Sequence, residues 1–340
     1  MNKQFNIAVV GATGAVGETM LSILGERDFP VGEIHALASS RSVGNGVSFK
    51  GKRIVLKELD AFDFNGVDIG LFSAGASVSD VHAPRAAAAG CVVVDNTSRF
   101  RYEKDIPLVV PEVNSHAIAQ HTNRGIIANP NCSTIQMVVA LKPIYDAVGI
   151  ERINVCTYQA VSGTGRRAIE ELAGQTAQLL NGKPVECKVY PKQIAFNVIP
   201  HIDAFQDNGY TKEEMKMVWE TRKILEDETI QVNPTTVRVP VFYGHSEAVH
   251  IETREKITSA DVRALLNAAP GVVVIDERAN GGYPTAVSDS AGQDPVYVGR
   301  IREDISHPKG INLWVVSDNI RKGAALNSIQ IAEILVKHYL

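Results

Sequence analysis

The sequence predicts an α/β chain in two domains, a doubly wound parallel sheet followed by an α+β domain built on a mixed sheet. Three observations lead there. At 340 residues the chain is long for one hydrophobic core. Its first third alternates short, unbroken apolar runs with helical stretches, as strands covered on both faces do. Beyond about residue 130 the apolar residues alternate with polar ones instead, as strands with one buried face do.

Taken in order, Ile7–Val10 reads as the first strand and Val16–Leu24 as the first helix. Glu33–Ala38, Val67–Ser73 and Cys91–Val94 read as further strands, the last preceded by the alanine-rich helix Pro84–Ala89. In the second half Ile153–Thr157, Val237–Val241 and Val249–Ile251 alternate, which places Pro240 at an edge or a bulge. Leu326, Ile329, Ala332, Ile334 and Val336 recur at helical spacing, so a terminal helix can return to cover the first domain. No repeat, low-complexity tract or linker interrupts the chain. The expected domains are 1–131 with 319–340, and 132–318.

Composition narrows the partners. A formal charge of -4 gives no electrostatic reason to expect nucleic acid or an anionic membrane. No apolar run approaches the roughly 20 residues that span a bilayer. The four cysteines, Cys91, Cys132, Cys156 and Cys187, show neither paired nor metal-type spacing, so a reducing cytoplasm is expected and no metal.

Gly11-Ala12-Thr13-Gly14-Ala15-Val16-Gly17 follows the first strand and opens the first helix. Glycines let a backbone approach a pyrophosphate, and a helix N-terminus offers it unpaired N–H groups. This marks the first domain as a Rossmann-type dinucleotide-binding domain, although the spacing departs from the usual fingerprint. An NAD site ordinarily carries an acidic residue at the end of the second strand. Here that strand ends Ala38-Ser39-Ser40-Arg41-Ser42, and an arginine among hydroxyls suits the 2′-phosphate of NADP.

Asn129-Pro130-Asn131-Cys132-Ser133-Thr134 precedes an apolar helical stretch that Pro143 is expected to kink or end. Asn131 is a good N-cap, which sets Cys132 in the first helical turn. There the macrodipole favours a thiolate and lowers the thiol pKa, as a nucleophilic cysteine needs. Its acid/base partner is sought among nine histidines, with His245 at a turn between two strands as one candidate.

These blocks, together with Phe72-Ser73-Ala74-Gly75-Ala76, Asp95 to Arg101, Val110 to Asn114, Tyr158 to Gly163, Glu213 to Met217, Arg238 to Val241 and Gly244-His245-Ser246, occur in order. Together they resemble the bacterial type of the aspartate-semialdehyde dehydrogenase family over nearly the whole chain. The resemblance implies reduction of β-aspartyl phosphate by NADPH to aspartate β-semialdehyde and phosphate, in lysine, threonine and methionine biosynthesis. It implies Cys132 as the thioester-forming nucleophile, His245 as acid/base and Gln159 as the group orienting the acyl carbon. For the substrate it implies Arg238 on the α-carboxylate, Glu213 on the α-ammonium, and Arg101, Lys216 and Asn131 on the phosphate. For the cofactor it implies Gly11, Thr13, Gly14, Ala15, Val16, Arg41, Ser42, Ser73, Ala74, Gly75, Ser162, Gly163 and Asn319. A homodimer formed through the half-exposed sheet of the second domain, the substrate and dimerisation domain, completes what the family leads one to expect.

From the residues alone, Glu213 and Lys216 read as a solvated i,i+3 ion pair, with Met215, Val218 and Leu225 marking the buried face of their helix. Two rivals stay open. N-acetyl-glutamyl-phosphate reductase would share the thioester chemistry, but an acetylated amine needs no carboxylate such as Glu213. A regulatory dinucleotide-binding protein without catalysis would have no use for Cys132, Gln159, Arg238 and His245.

Overall fold

The computed structural model describes residues 3–340, and the chain forms two compact units. The first runs to Pro130 and takes back Ala324–Leu340, and the second is Asn131–Gly323.

Unit one carries β1 (Phe5–Val10), α1 (Ala15–Glu26), β2 (Val31–Ala38), the hairpin β3 (Gly46–Phe49) and β4 (Lys52–Val55), and β5 (Lys57–Glu58). Then come β6 (Ile69–Phe72), α2 (Ala76–Ala88), β7 (Val92–Asp95), the short α3 (Pro111–Asn114) and β8 (Ile126–Ala128). The main sheet runs β5-β2-β1-β6-β7-β8, and its pairings are all parallel. Ile7, Val9, Ile69, Leu71 and Val94 are fully buried, which is why these strands read as continuous apolar runs.

Strand order reverses between β1 and β6, and in such sheets the crevice beyond the strand ends at that point is where ligands bind. The turns after the two strands nearly touch there. A Cβ on Gly11, whose φ is +84°, would lie 2.8 Å from the Ser73 carbonyl oxygen, and one on Gly17 only 2.3 Å from that of Gly11. Packing therefore demands both glycines. Gly14 is different, because its Cβ would meet nothing nearer than 3.4 Å.

Unit two carries α4 (Cys132–Val148), β9 (Ile150–Gln159), α5 (Arg166–Leu180), α6 (Lys212–Leu225), β10 (Gln231–Arg238) and β11 (His245–Thr253). It continues through α7 (Ser259–Ala268), β12 (Val272–Val274), β13 (Val296–Glu303) and β14 (Gly310–Ser317). Its sheet, β10-β9-β11-β14-β13-β12, is mixed: β10 with β9 and β12 with β13 are parallel, the rest antiparallel. Helix α4 lies on one face, against β9, β11, β13 and β14. The last helix, α8 (Leu326–His338), belongs to unit one, where Leu326, Ile329 and Leu335 join the core beside α1.

Two local expectations need correcting. Helix α4 does not end at Pro143, which sits inside it; the helix continues to Val148 and stops at Gly149, with φ +67°. The alternating run through Val237–Val241 is not one strand: β10 ends at Arg238, and Pro240 lies beyond it. The proline that β10 does contain, Pro234, sits on an edge strand, where a missing N–H costs least.

Gly17→Ala is expected to cost about 3 kcal/mol, because a backbone oxygen occupies the space a methyl needs. Gly14→Ala should stay within about 1 kcal/mol of the parent. Urea unfolding of the two variants tests the contrast, and equal losses would mean the turn can move aside.

Candidate active site

The inner face of the mixed sheet is ordered in rungs. Pro234, Val155, Val249 and Leu313 stand opposite one another across four strands, and Val232, Ile153, Ile251 and Ile311 form the next rung further from the strand ends. Towards the ends of β9 and β10 the chemistry changes. Thr236, Thr157, Glu247 and Val315 make one rung. Beyond it Arg238 faces Gln159, and His245 faces Ser317. The period-two alternation of the strands gathers Arg238, Gln159 and His245 on one face although they are far apart in sequence.

Cys132 is the first residue of α4. Asn131 caps the helix, its Oδ1 accepting the N–H of Ser133 at 3.0 Å and of Thr134 at 3.4 Å. The cap is itself held from α6. Asn131 Nδ2 donates to Glu213 Oε1 at 2.9 Å, and the Asn131 backbone N–H donates to Glu220 Oε2 at 2.6 Å. Gln159 Nε2 donates to the same Glu213 oxygen at 3.1 Å, while the Thr157 hydroxyl donates to Gln159 Oε1 at 3.1 Å. Lys216 Nζ bridges Glu213 Oε2 at 2.9 Å and Asp203 Oδ2 at 2.8 Å. Gly323 packs behind Cys132, since a Cβ there would lie 2.8 Å from Cys132 Cβ.

This arrangement overturns the solvated-pair reading of Glu213 and Lys216. Glu213 is 5% exposed. Burial alone would push its carboxyl up, but Lys216, Asn131 and Gln159 outweigh that and hold it at about 2. Met215, expected on the buried face, is only half-buried.

His245 is wholly buried. The Ala160 N–H donates to its Nδ1 at 3.0 Å, so the neutral ring carries its proton on Nε2. That Nε2 has no hydrogen-bond partner. Burial, reinforced by Arg238, lowers the imidazole pKa to about 3. Arg238 Nη1 donates to the Ala160 carbonyl at 2.7 Å, and Arg238 Nε is buried without a partner. A Cβ on Gly163 would lie 3.2 Å from Arg238 Nη1 and 3.4 Å from His245 Nε2, so a glycine keeps this corner open. Asn319 ties the corner together: its Oδ1 accepts the Gly244 N–H at 2.9 Å, and its Nδ2 donates to the Ser162 hydroxyl at 3.0 Å.

The remaining expected residues lie in unit one. Gly11, Thr13, Gly14, Ala15 and Val16 form the turn and first helical positions after β1, and Ser73, Ala74 and Gly75 the turn after β6. Helices α1 and α2 both open on a glycine, Gly14 and Gly75, with no side-chain cap. Arg41, exposed, and Ser42 sit in a short 3-10 turn, Ser40–Ser42, beyond the end of β2, the neighbour of β1. Arg101 is buried, its Nη2 donating to the Asn96 carbonyl at 2.9 Å. Among the described residues no group of histidine, cysteine and acidic side chains could hold a metal ion, and no helix is long and apolar enough to cross a membrane.

Comparison with known proteins agrees across the chain. Residues 6–121 match the family model described as semialdehyde dehydrogenase, NAD binding domain, and residues 141–322 the one described as semialdehyde dehydrogenase, dimerisation domain. The aspartate-semialdehyde dehydrogenase of Legionella pneumophila is 64% identical over 340 residues, covering 100% of this chain and 98% of that protein. The chain belongs to the aspartate-semialdehyde dehydrogenase family. A crystal structure of aspartate semialdehyde dehydrogenase II from Vibrio cholerae, complexed with ASA, superposes with a TM-score of 0.98 at 62% identity, covering 100% of both chains. That of Candida albicans, solved with NADP, does so at 0.76 and 28% identity, covering 98% of each. As a member of this family the chain is an oxidoreductase with an N-terminal nicotinamide-dinucleotide-binding domain.

Sequence reasoning missed several residues that shape this family site. Glu220 and Asp203 were hidden because isolated acidic residues read as surface. Thr157 could have been found, since it stands two residues before Gln159 and so shares its face. Glu247, on the neighbouring rung, is the oddest: it is fully buried, and neither carboxyl oxygen has a hydrogen-bond partner. Burial pushes its carboxyl well above the usual range, with the Gln136 amide opposing.

A raised carboxyl pKa stabilises the fold only below the unfolded value near 4.3, and that contribution is lost as pH rises towards the folded pKa. Glu247→Gln removes the titration. Its stability relative to the parent is expected to grow by about 1.4 kcal/mol per pH unit above that point until the folded pKa is reached. Urea melts at pH 5 and pH 8 measure it, and a pH-independent difference would show Glu247 to be ionised and paired.

Proposed function

We propose that the chain reduces β-aspartyl phosphate with NADPH to aspartate β-semialdehyde and phosphate through a thioester on Cys132, a step towards lysine, threonine and methionine. One observation carries this reading. A cysteine opens a capped helix whose cap is wired through Glu213 to Gln159, while His245 and Arg238 keep buried donors without partners.

In this chemistry the N-terminus of α4 stabilises the Cys132 thiolate. The sulfur attacks the acyl carbon, the bond to phosphate breaks, and phosphate leaves with its electron pair. Gln159, held by Thr157 and Glu213, orients the acyl group. Bound NADPH supplies the hydride that reduces the thioester. His245 acts through Nε2–H, donating a hydrogen bond to the oxygen as it gains charge. The Ala160 N–H on Nδ1 makes the ring a donor, and this narrows the acid/base role expected of it. Arg238 suits the substrate α-carboxylate, as its free Nε can join an Nη donor in a bidentate contact. Glu213 suits the α-ammonium as a buried carboxylate held beside Gln159 and Asn131. Asn131 is occupied as a cap and tether, with one amide hydrogen to spare for phosphate. Lys216, between two carboxylates, and Arg101 complete the phosphate set proposed.

NADP fits unit one: Gly14 leaves space that chain packing does not need, and Arg41 lies beyond β2 with no acidic residue beside it. The Candida albicans relative was solved with NADP. A homodimer is proposed through the outer face of the mixed sheet. A depression of about 500 Å³ lies there, lined by Ser246, Ala248, Trp314 and Tyr283 among others, and the matching family model is described as a dimerisation domain.

The deciding assay supplies aspartate semialdehyde, phosphate and NADP and follows the reduced cofactor by absorbance. A phosphate-dependent signal is expected, and its absence would favour a regulatory protein. Cys132→Ala should lower turnover by more than about a thousandfold while leaving NADP affinity unchanged; retained turnover rules the thioester out. Arg41→Ala should raise the KM for NADP about tenfold or more without changing that for NAD, and parallel changes in both would deny Arg41 the 2′-phosphate.

A further inference from the structure

Helix α6 presents more than Glu213 to the nucleophile loop. Glu213 and Glu220 are seven residues apart, two helical turns, and so share a face. Both bind one residue. Glu213 Oε1 accepts the Asn131 side-chain amide at 2.9 Å, and Glu220 Oε2 accepts the Asn131 backbone N–H at 2.6 Å. Glu220 is 0% exposed and belongs to a different part of the chain, 89 residues away.

The two bonds do different things. An asparagine cap held by its side chain alone can still rotate its backbone, and with it the next residue. A second bond on the backbone N–H removes that freedom, because it anchors the peptide plane between Pro130 and Asn131. The residue next to this anchor is Cys132. Nor is the N–H available to a ligand while Glu220 holds it.

We propose that Glu220 is a positioning residue for Cys132: it clamps the backbone of the capping residue, so that α4 opens with the sulfur in one fixed place. It touches neither substrate nor cofactor in this role. The inference rests on Cys132 being the nucleophile. It predicts a loss in kcat and not in substrate binding, since Arg238 and Gln159 are held by other partners.

The test uses the full-length enzyme and two variants. Glu220→Ala removes the acceptor, and Glu220→Gln keeps an oxygen that can accept the N–H while removing the charge. Steady-state assays are combined with the rate constant of iodoacetamide alkylation at Cys132, read by peptide mass spectrometry with the exposed Cys187 as internal reference. For Glu220→Ala the expectation is a kcat about tenfold or more below the parent, KM for aspartate semialdehyde within about twofold, and alkylation of Cys132 slowed while Cys187 is unaffected. Glu220→Gln should recover kcat and alkylation to within about threefold. A smaller folded fraction would lower the amplitude of the folded-state phase of Cys132 labelling and spare its rate constant, the unfolded molecules adding a separate phase. Parent-like kcat and alkylation in Glu220→Ala would overturn the proposal, as would a glutamine variant as impaired as the alanine one. If Cys132 in the parent itself reacts no faster than Cys187, the thioester reading fails instead, and the two failures are told apart.

Discussion

A carboxylate taken out of water survives only among donors, and Glu213 shows how much structure can be hung on that requirement. Its two oxygens gather the amide of Asn131, the amide of Gln159 and the ammonium of Lys216. Those residues come from the start of α4, the end of β9 and α6 itself. Satisfying one buried charge thereby locates the helix that opens at Cys132 relative to the strand that ends at Gln159. Lys216 is balanced in turn by Asp203, so the network closes on itself. Removing any one donor would leave a buried charge short of a partner, which is the costly way to break such a network.

The sheet beneath supplies the second constraint. Two apolar rungs anchor the inner face against α4, and two polar rungs come after them at the strand ends. Packing strength and chemistry are separated along the strands rather than mixed. The polar rungs can then tolerate exceptions. Glu247 lies in a position that apolar packing would fill at lower cost, and the stable rungs beside it absorb the penalty.

How much of this was legible in the sequence depends on the signal each part sends. The parallel sheet announced itself because strands buried on both faces leave unbroken apolar runs, and the glycine turn because its spacing falls straight after one of them. The cap at Asn131 was legible for the same local reason. Helix α6 was not. Its buried stripe runs Glu213, Met217, Glu220, Ile224, and two acidic residues in four make that face look wet. Only the partners that those carboxylates meet, on α4 and β9, explain the burial, and partners far away in sequence leave no local mark. The glycines divide in the same way. Gly11 and Gly17 are required by backbone contacts visible only in three dimensions, whereas Gly14 is not.

The protonation state of His245 bears on how the site can work. Because burial, helped by Arg238, keeps the ring neutral and the Ala160 N–H occupies Nδ1, its proton sits on Nε2. Such a ring cannot take a proton from a thiol at Nε2, but in the proposed reductive direction it need not. Hydride adding to a thioester carbon leaves an alkoxide, and the alkoxide collapses to the aldehyde by expelling sulfur as thiolate. No proton enters or leaves in either event. What the oxygen needs while it bears charge is a fixed donor in a dry place, and a desolvated N–H held by a backbone bond on the far side of its ring meets that need without reorganising. The same low dielectric that depresses the imidazole pKa strengthens the hydrogen bond it offers. Burial of His245, which by itself reads as loss of a base, is on this argument how the site obtains a donor.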